Sequence, residues 1–331
     1  MNSNWNLSVL IAVSSSAGDR QLVVSKAGIE VIDAHAHFMT YAVVRQIIHR
    51  QSSEGDESIL AKVQKRVSSL TDMHTFTMPA EDFDTGKAWV DELDKYGISA
   101  IGMMIGKEAW DEFNETRRRF PGRFLGYANI NPADDDAVDL VKRAGRDGFQ
   151  GIKLYPTSWN FHASDDIVRP IYEEALKQKL LVIAHFGITI GTAADLRYGN
   201  PLDLQRPAHD FPDLKFMIAH FGAGFFREVL MLMYQTDNIS MDTSGSNAWM
   251  KYQPYDLSIR KIFEKALKAG GPERVVFGTD SSFFPRGFRY NILEEQVAAV
   301  RAICPQLCLS DDAIDRIFRK NILDLTGFKA S

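Results

Sequence analysis

The 331-residue sequence lacks the features that mark several large classes of protein. Its only two cysteines, Cys304 and Cys308, are not spaced as a Cys-x-x-Cys metal or redox pair, so we interpret them as reduced thiols. No apolar stretch approaches the ~20 residues that cross a bilayer. The formal net charge of −5 and the lack of a basic run argue against a nucleic-acid-binding surface.

The N-terminal segment, residues 1–28, precedes the main pattern of the chain. Two β-prone runs, 5–13 and 20–26, flank Ser-Ser-Ala-Gly-Asp, which predicts a β-hairpin appendage. The first run is short for a secretory signal and no Lys or Arg precedes its apolar part, so we expect a cytoplasmic protein. The hairpin is a candidate contact in a homodimer.

Residues 29–331 follow one rhythm, in which strand-length apolar runs alternate with amphipathic helix candidates. The runs are Val31–His37, Ala100–Ile105, Phe124–Ile130, Gly151–Tyr155, Leu180–Phe186, Lys215–Phe221, Ile239–Thr243 and Val275–Thr279. The helix candidates include Ala137–Arg146, Asp165–Lys179, Phe225–Tyr234, Asp256–Ala269, Asn291–Ile303 and Ser310–Leu325. The runs are continuous rather than alternating, as expected of parallel strands covered on both faces.

Eight strands alternating with helices predict an α/β fold, the (β/α)8 TIM barrel. A doubly wound open sheet is the alternative, but it would have a Gly-x-Gly-x-x-Gly turn after its first strand, and the sequence has none there. The segment 39–96 is far longer than a βα connection needs and contains helix-like stretches at Tyr41–Arg50 and Ser58–Leu70. We interpret it as a lid or pocket wall on the catalytic face, with a packing insertion as the alternative.

Polar residues recur where the predicted strands end. His35 and His37 are two residues apart, so in an extended strand both imidazoles point to one face. Neutral imidazoles are preferred ligands of divalent transition metals. Although the chain has only eight histidines, four of them lie at predicted strand ends: His35, His37, His185 and His220. Two charged residues occupy equivalent positions, Lys153 and Asp280.

Charged and polar groups buried together at strand ends need partners, because burial without one costs several kcal/mol. A bound cation would supply that partner. Taken singly, a strand-end histidine is more often a hydrogen-bonded core residue, and Asp280 could be a helix cap. Recurrence on different strands favours a shared metal site. His74 and His162, in loops, are retained as candidate substrate contacts.

These positions and their surroundings resemble the amidohydrolase superfamily, specifically its amidohydrolase 2 branch. The similar segments span most of the chain from residue 30: Asp33–His37, Arg119–Phe124, Asn129–Pro132, Gly148–Leu154, His185, Phe211–Lys215, His220, Arg274–Asp280 and Asn321–Leu323. The resemblance implies a TIM barrel with metal-dependent chemistry. It does not imply one substrate, because the branch includes hydrolases, lactonases and decarboxylases.

The resemblance also implies roles for the strand-end residues. Four of them would bind one divalent metal, for which we expect zinc: His35, His37, His185 and Asp280. Such a site leaves a position for water, whose pKa the metal would lower to about 7. Asp280 would take the proton, and His220 would polarise the substrate or move protons. In dinuclear members a carbamylated lysine at the Lys153 position bridges two metals; we favour one metal, with Lys153 near the substrate.

Further residues after the strand ends would line the pocket. The aromatic candidates are Tyr155, Trp159, Phe186, Phe221 and Phe283. A substrate carboxylate could be held by a bidentate pair with Arg286 and Arg289 after strand eight, or with Arg197 after strand five, although most surface arginines have no such role.

Together these features predict a metal-dependent hydrolase of a small ester, lactone or amide. A metal-dependent non-oxidative decarboxylase of a small aromatic or unsaturated acid is the alternative. Several decarboxylases of the branch begin with Glu-x-His, whereas this chain has His-x-His. A non-catalytic ligand-binding barrel is a third hypothesis, which the filled ligand positions argue against.

Overall fold

The computed structural model describes residues 29–50, 78–189 and 194–330. In this part of the chain, eight strands form one parallel sheet in sequential order. They are β1 (Ile32–His37), β2 (Ala100–Ile105), β3 (Phe124–Asn129), β4 (Gly151–Leu154), β5 (Leu181–Ala184), β6 (Phe216–Ile218), β7 (Ile239–Asp242) and β8 (Val275–Val276). The predicted (β/α)8 barrel is confirmed.

Helices connect and cover the strands. They are α1 (Tyr41–Arg50), α2 (Thr85–Tyr96), α3 (Trp110–Arg119), α4 (Ala137–Arg146), α5 (Pro156–Trp159), α6 (Arg169–Lys177), α7 (Gln205–Asp210), α8 (Phe226–Gln235), α9 (Ile259–Gly270), α10 (Tyr290–Ile303), α11 (Asp311–Asp315) and α12 (Asn321–Thr326). Short 3₁₀ turns lie at Lys107–Ala109, Leu196–Tyr198, Pro201–Leu204, Ala219–Gly222, Ala248–Tyr252, Pro272–Arg274 and Cys304–Leu307. None of the helices in the described ranges is both long and apolar enough to traverse a bilayer.

The apolar core has two layers. A small inner cluster fills the barrel and includes Ile32, Ala34, Tyr127, Met217 and Ile322. A larger outer cluster packs the outward faces of the strands against the helices. This arrangement explains why the strands are apolar along their whole length, since both faces are buried.

The barrel closes between β8 and β1 with few contacts. The two strands are joined by an isolated bridge between Ala36 and Ser281, not by a continuous ladder. Near it, the Asp280 N–H donates to the His35 carbonyl at 2.8 Å and the His37 N–H donates to the Ser281 carbonyl at 2.8 Å. The join between β8 and β1, here called the seam, carries the predicted site residues His35 and His37 on β1 and Asp280 after β8. The seam therefore lies directly at the candidate site.

Three sequence-based predictions are outside the described residues: the hairpin in 1–28, the helix at Ser58–Leu70 and the position of His74. Two others need correction. The run Lys215–Phe221 is not all strand, because β6 ends at Ile218 and the chain turns with His220 at φ 58°. The helix predicted for Ser310–Leu325 is divided by a π-helical turn at Arg316–Lys320.

Candidate metal centre

A bulge in β1 brings both of its histidines to the barrel mouth. The pairing of β1 with β2 shifts register between Asp33 and Ala36. Ala34 packs in the inner cluster, whereas Ala36 packs in the outer one. Without the extra residue, strict alternation would place His37 on the outer face, so the bulge re-aims it inward.

Three predicted ligands meet at this mouth. One ligand atom each from His35, His37 and Asp280 lies within 4.8 Å of the others. The His37 Nε2 is 3.1 Å from Asp280 Oδ1. His35 is fully buried, while the side chains of His37 and Asp280 are 26% and 31% exposed. The site is therefore buried on the barrel side and open toward the loops.

The other two predicted histidines form a neighbouring pair. His185, after β5, places its Nδ1 3.2 Å from His220 Nε2, and the two ring centroids are 4.7 Å apart. The His220 ring is also 4.7 Å from the His35 ring. His185 is thus adjacent to the three-residue cluster through His220, but is not within the 4.8 Å group.

Two residues at the end of β7 complete the network, and we did not predict either from the sequence. Asp242 Oδ2 accepts a hydrogen bond from His35 Nδ1 at 2.7 Å. The Ser244 hydroxyl lies 2.7 Å from His220 Nδ1 and 3.1 Å from His35 Nδ1. The available signal was the same one used for the histidines, since Asp242 lies next to the end of the predicted run Ile239–Thr243 and is the last residue of β7.

Burial and neighbouring charge determine the protonation of this cluster. Burial, together with the Lys153 charge, lowers the pKa of His35 to about 3, so its ring is neutral at physiological pH. Burial alone would raise the pKa of Asp280, but the His37 hydrogen bond and the nearby imidazoles outweigh it and keep that pKa well below the ordinary value. Burial lowers the pKa of Lys153 to about 8.

The residues present fit a divalent metal. His35 Nδ1 is engaged by Asp242, while its Nε2 is buried and has no hydrogen-bond partner among the described residues. An imidazole with one nitrogen held by a carboxylate and the other nitrogen free is the usual form of a metal-binding histidine. A second imidazole and an ionised carboxylate lie beside it, and such mixed nitrogen and oxygen sets suit divalent transition metals.

Other predicted pocket residues fall in different places. Tyr155 and Trp159 contact edge to face at 4.9 Å, and the Tyr155 ring is 6.1 Å from that of His185, so both lie on the site's side. Arg286 donates to the Ser282 hydroxyl after β8. Phe186 and Phe221 were predicted as pocket walls and are not; both are fully buried in the outer cluster, because they follow strand-end histidines and so point outward.

Three more basic candidates are occupied by protein partners. The His162 Nδ1 lies 2.5 Å from Asp203 Oδ2, and both side chains are partly exposed. Arg197 is 81% exposed and pairs with Asp195. Arg289 is buried and donates to the Thr279 carbonyl at 3.0 Å, which fixes the turn that carries Asp280.

The comparison with known families agrees with the barrel fold. The profile of the amidohydrolase family (amidohydrolase 2) matches residues 32–328. The chain belongs to this family. Among curated proteins, no sequence matches that of this amidohydrolase.

Solved structures share its fold at low sequence identity. The 5-carboxyvanillate decarboxylase from Sphingomonas paucimobilis is 14% identical with a TM-score of 0.61, over 91% of this chain and 100% of that one. The enzyme from Novosphingobium aromaticivorans with bound manganese is also 14% identical, with a TM-score of 0.62 over 92% and 98%. A Pseudomonas putida protein assigned by name as a 2-pyrone-4,6-dicarboxylic acid hydrolase is 16% identical, with a TM-score of 0.56 over 92% of this chain and 99% of that one.

Proposed function

We propose that this amidohydrolase is a metal-dependent hydrolase of a small carboxylated ester, lactone or amide. The observation that carries the proposal is the meeting of His35, His37 and Asp280 within 4.8 Å, where the buried Nε2 of His35 has no hydrogen-bond partner in the described part of the chain. His185, through its Nδ1, completes the proposed ligand set. We expect zinc, and the manganese in a structural neighbour makes manganese the second metal to test.

The protein's own groups have separate roles in this proposal. A divalent cation held here would supply Lewis-acid chemistry and acidify a water, lowering its pKa to about 7. Asp280, ionised because its pKa is held low, accepts a proton from the attacking water. His220, which has the Asp280 charge nearby and its Nε2 beside His185, accepts that proton from Asp280 at Nε2 and delivers it to the leaving group. Lys153 supplies positive charge for the oxygen on which negative charge develops.

Two observations support a carboxylated substrate. The Lys153 Nζ is buried and has no hydrogen-bond partner among the described residues, and it lies 5.3 Å from the centre of the Tyr155 ring. A buried cation of this kind suits an anionic oxygen of a ligand. The structural neighbours named above are a decarboxylase and a hydrolase whose names both specify carboxylic acids. Tyr155 and Trp159 provide an aromatic wall for a flat molecule.

The test is turnover by the purified protein reconstituted with zinc or manganese. Base consumption in a pH-stat measures hydrolysis of carboxylated lactones and aryl esters, and released CO₂ measures decarboxylation of aromatic acids. We expect hydrolysis of at least one carboxylated lactone or ester, lost on chelation and in Asp280→Asn. Release of CO₂ without hydrolysis would contradict the hydrolase and support the decarboxylase instead. If the purified protein bound neither zinc nor manganese, both proposed functions would be ruled out.

A further inference from the structure

We propose that Asp242 is a positioning residue that fixes the tautomers of two site histidines at once. It acts on His35 directly and on His220 through Ser244. The inference rests on the metal site of the proposed function, but the experiment below tests it without turnover. Neither Asp242 nor Ser244 contributes an atom to the cluster of His35, His37 and Asp280.

The Asp242 carboxylate is fully buried and has four hydrogen-bond donors around it. Oδ1 accepts from the backbone N–H groups of His220 at 2.9 Å and Ser244 at 3.0 Å, and from the Ser244 hydroxyl. Oδ2 accepts from His35 Nδ1 at 2.7 Å. Because both carboxylate oxygens accept hydrogen bonds from these donors, the side chain of Asp242 is held in place and in turn orients the groups that donate to it. His35, His220 and Asp242 therefore do not form a second metal site, although their ligand atoms lie close together.

The tautomer of His35 follows from these contacts. An ionised carboxylate can only accept, so the proton of the neutral ring belongs on Nδ1. A proton on Nε2 would be a buried donor without an acceptor among the described residues, which costs about 1–3 kcal/mol. The Nε2 lone pair of His35 is thus available at the barrel mouth.

The tautomer of His220 follows through Ser244. The one proton of the Ser244 hydroxyl is donated to Asp242, so its oxygen faces His220 Nδ1 as an acceptor at 2.7 Å. The Ser244 carbonyl, also an acceptor, is 3.2 Å from the same nitrogen. His220 Nδ1 must therefore carry the proton, which leaves the lone pair on Nε2.

The same reasoning gives the opposite tautomer for His185. Its Nε2 is 3.2 Å from the Ile188 carbonyl, which only accepts, so the lone pair is on Nδ1. His220 Nε2 and His185 Nδ1 then face each other at 3.2 Å with a lone pair each. Two neutral rings in this arrangement cannot hydrogen-bond to each other, and a positive centre beside them relieves the repulsion. Asp242 thus helps to aim lone pairs from both ends of the network into one site.

The decisive variant is Asp242→Asn, which keeps the size and shape of the side chain. The amide oxygen can replace Oδ1, but the amide NH₂ would replace Oδ2 and donate to His35 Nδ1. The His35 proton then moves to Nε2, where a metal needs the lone pair. We expect the Kd for Mn²⁺, from electron paramagnetic resonance of the free ion, to rise about 10–100-fold, as for other partners of metal-binding histidines.

Asp33→Asn is the matched control. Asp33 is also a fully buried carboxylate, and its partners among the described residues are the N–H groups of His35 and Thr279 and the Thr279 hydroxyl, not an imidazole. We expect its Kd for Mn²⁺ to change less than about threefold. A Kd for Asp242→Asn within twofold of the wild-type value would overturn the proposal.

Long-range ¹H–¹⁵N spectra of the metal-free wild-type protein give a second test that needs no variant to fold. We expect Nδ1–H forms for His35 and His220 and an Nε2–H form for His185, assigned with His→Gln variants. An Nε2–H form of wild-type His35 would contradict the role of Asp242. Failure of the wild-type protein to bind any divalent metal would count against the proposed function, whereas the tautomer measurement would still test Asp242.

Discussion

Two site residues have backbone angles that most side chains avoid. Asp280 has φ 59° and His220 has φ 58°, both in the left-handed region. Such conformations cost of order 1 kcal/mol or more outside glycine and persist where the surroundings impose them. Here the Asp280 N–H bonds to the His35 carbonyl and the His220 N–H bonds to Asp242. The strained turns direct these side chains into the candidate site, at a cost in the free energy of folding.

The first prediction separates the charge of Asp280 from its backbone strain. Asn accepts the left-handed region more readily than Ala, so we expect metal-free Asp280→Ala to be about 1 kcal/mol less stable than Asp280→Asn. Both variants should be less stable than wild type at neutral pH, because a carboxyl group with a lowered pKa stabilises the folded state when it is ionised. Both should lose turnover about 100-fold or more, because each lacks the carboxylate that accepts the proton. Urea denaturation in chelator and initial rates with metal provide the two measurements. Equal stability of the two variants would show that the backbone of Asp280 is not strained.

Lys153 is a buried charge, so its cost to the fold depends on pH. The pKa is about 8 in the folded protein against an ordinary value of 10.5. Below about pH 8 both states bind the proton, and the folded state bears the full cost of burying the charge. Between about 8 and 10.5 only the unfolded chain binds it, so folding becomes more favourable as pH rises.

Lys153→Met should therefore be more stable than wild type at pH 7, by at most about 3 kcal/mol. The advantage should shrink as pH rises from about 8 to 10.5, and KM for a carboxylated substrate should increase. Urea denaturation of metal-free protein at several pH values checks the first point, and steady-state kinetics the second. Lys177→Met, at a lysine that is 70% exposed, controls for loss of one positive charge. A stability difference that did not vary with pH would contradict the argument.

At the scale of elements, the strand ends were predictable and the register was not. Continuous apolar runs gave β2 without error and the others to within a few residues, because burial on both faces leaves an unbroken apolar signature. The β1 bulge leaves no such signature, since it depends on pairing with β2. Phe186 and Phe221 were misplaced because each points outward into the core, opposite the histidine before it. Asp242 also lies at the end of a strand, as the predicted site residues do, but we did not predict it as a site residue.

The ends of β1, β7 and β8 pack so closely that one added methyl group should disturb the site. A Cβ on Gly278 would lie 2.9 Å from the His35 Cβ and 3.0 Å from the Ser244 Cβ. Gly278→Ala should move His35 away from Asp242, weaken metal binding and lower stability by about 1–3 kcal/mol. Metal titration and thermal unfolding measure both effects. Gly106→Ala, after β2, is the control, because the nearest atom to its Cβ would belong to the flexible Glu108 carboxylate, at 2.7 Å. Equal effects of the two changes would refute this account.

For the whole molecule, the candidate metal site lies across the join between the first and last strands, where the barrel closes. Strands β2 to β7 are linked by continuous ladders, whereas β8 meets β1 through one isolated bridge and a few backbone hydrogen bonds. His35 and His37 come from β1, and Asp280 follows β8. A cation bound by all three residues would tie the first and last strands together, so metal binding and barrel closure should be coupled.

This coupling predicts which backbone amides added metal protects from hydrogen exchange. Binding at 100 times Kd should stabilise the folded protein by about 2.7 kcal/mol and raise its Tm by several degrees. In hydrogen exchange, the amides of His37 and Asp280 at the seam should slow more than those of β3 and β4, because local opening of the seam becomes coupled to metal release. Asp280→Asn should show neither effect at the same metal concentration. Uniform slowing across all eight strands would mean that the metal stabilises the barrel only globally, and that the seam opens no more readily than the rest.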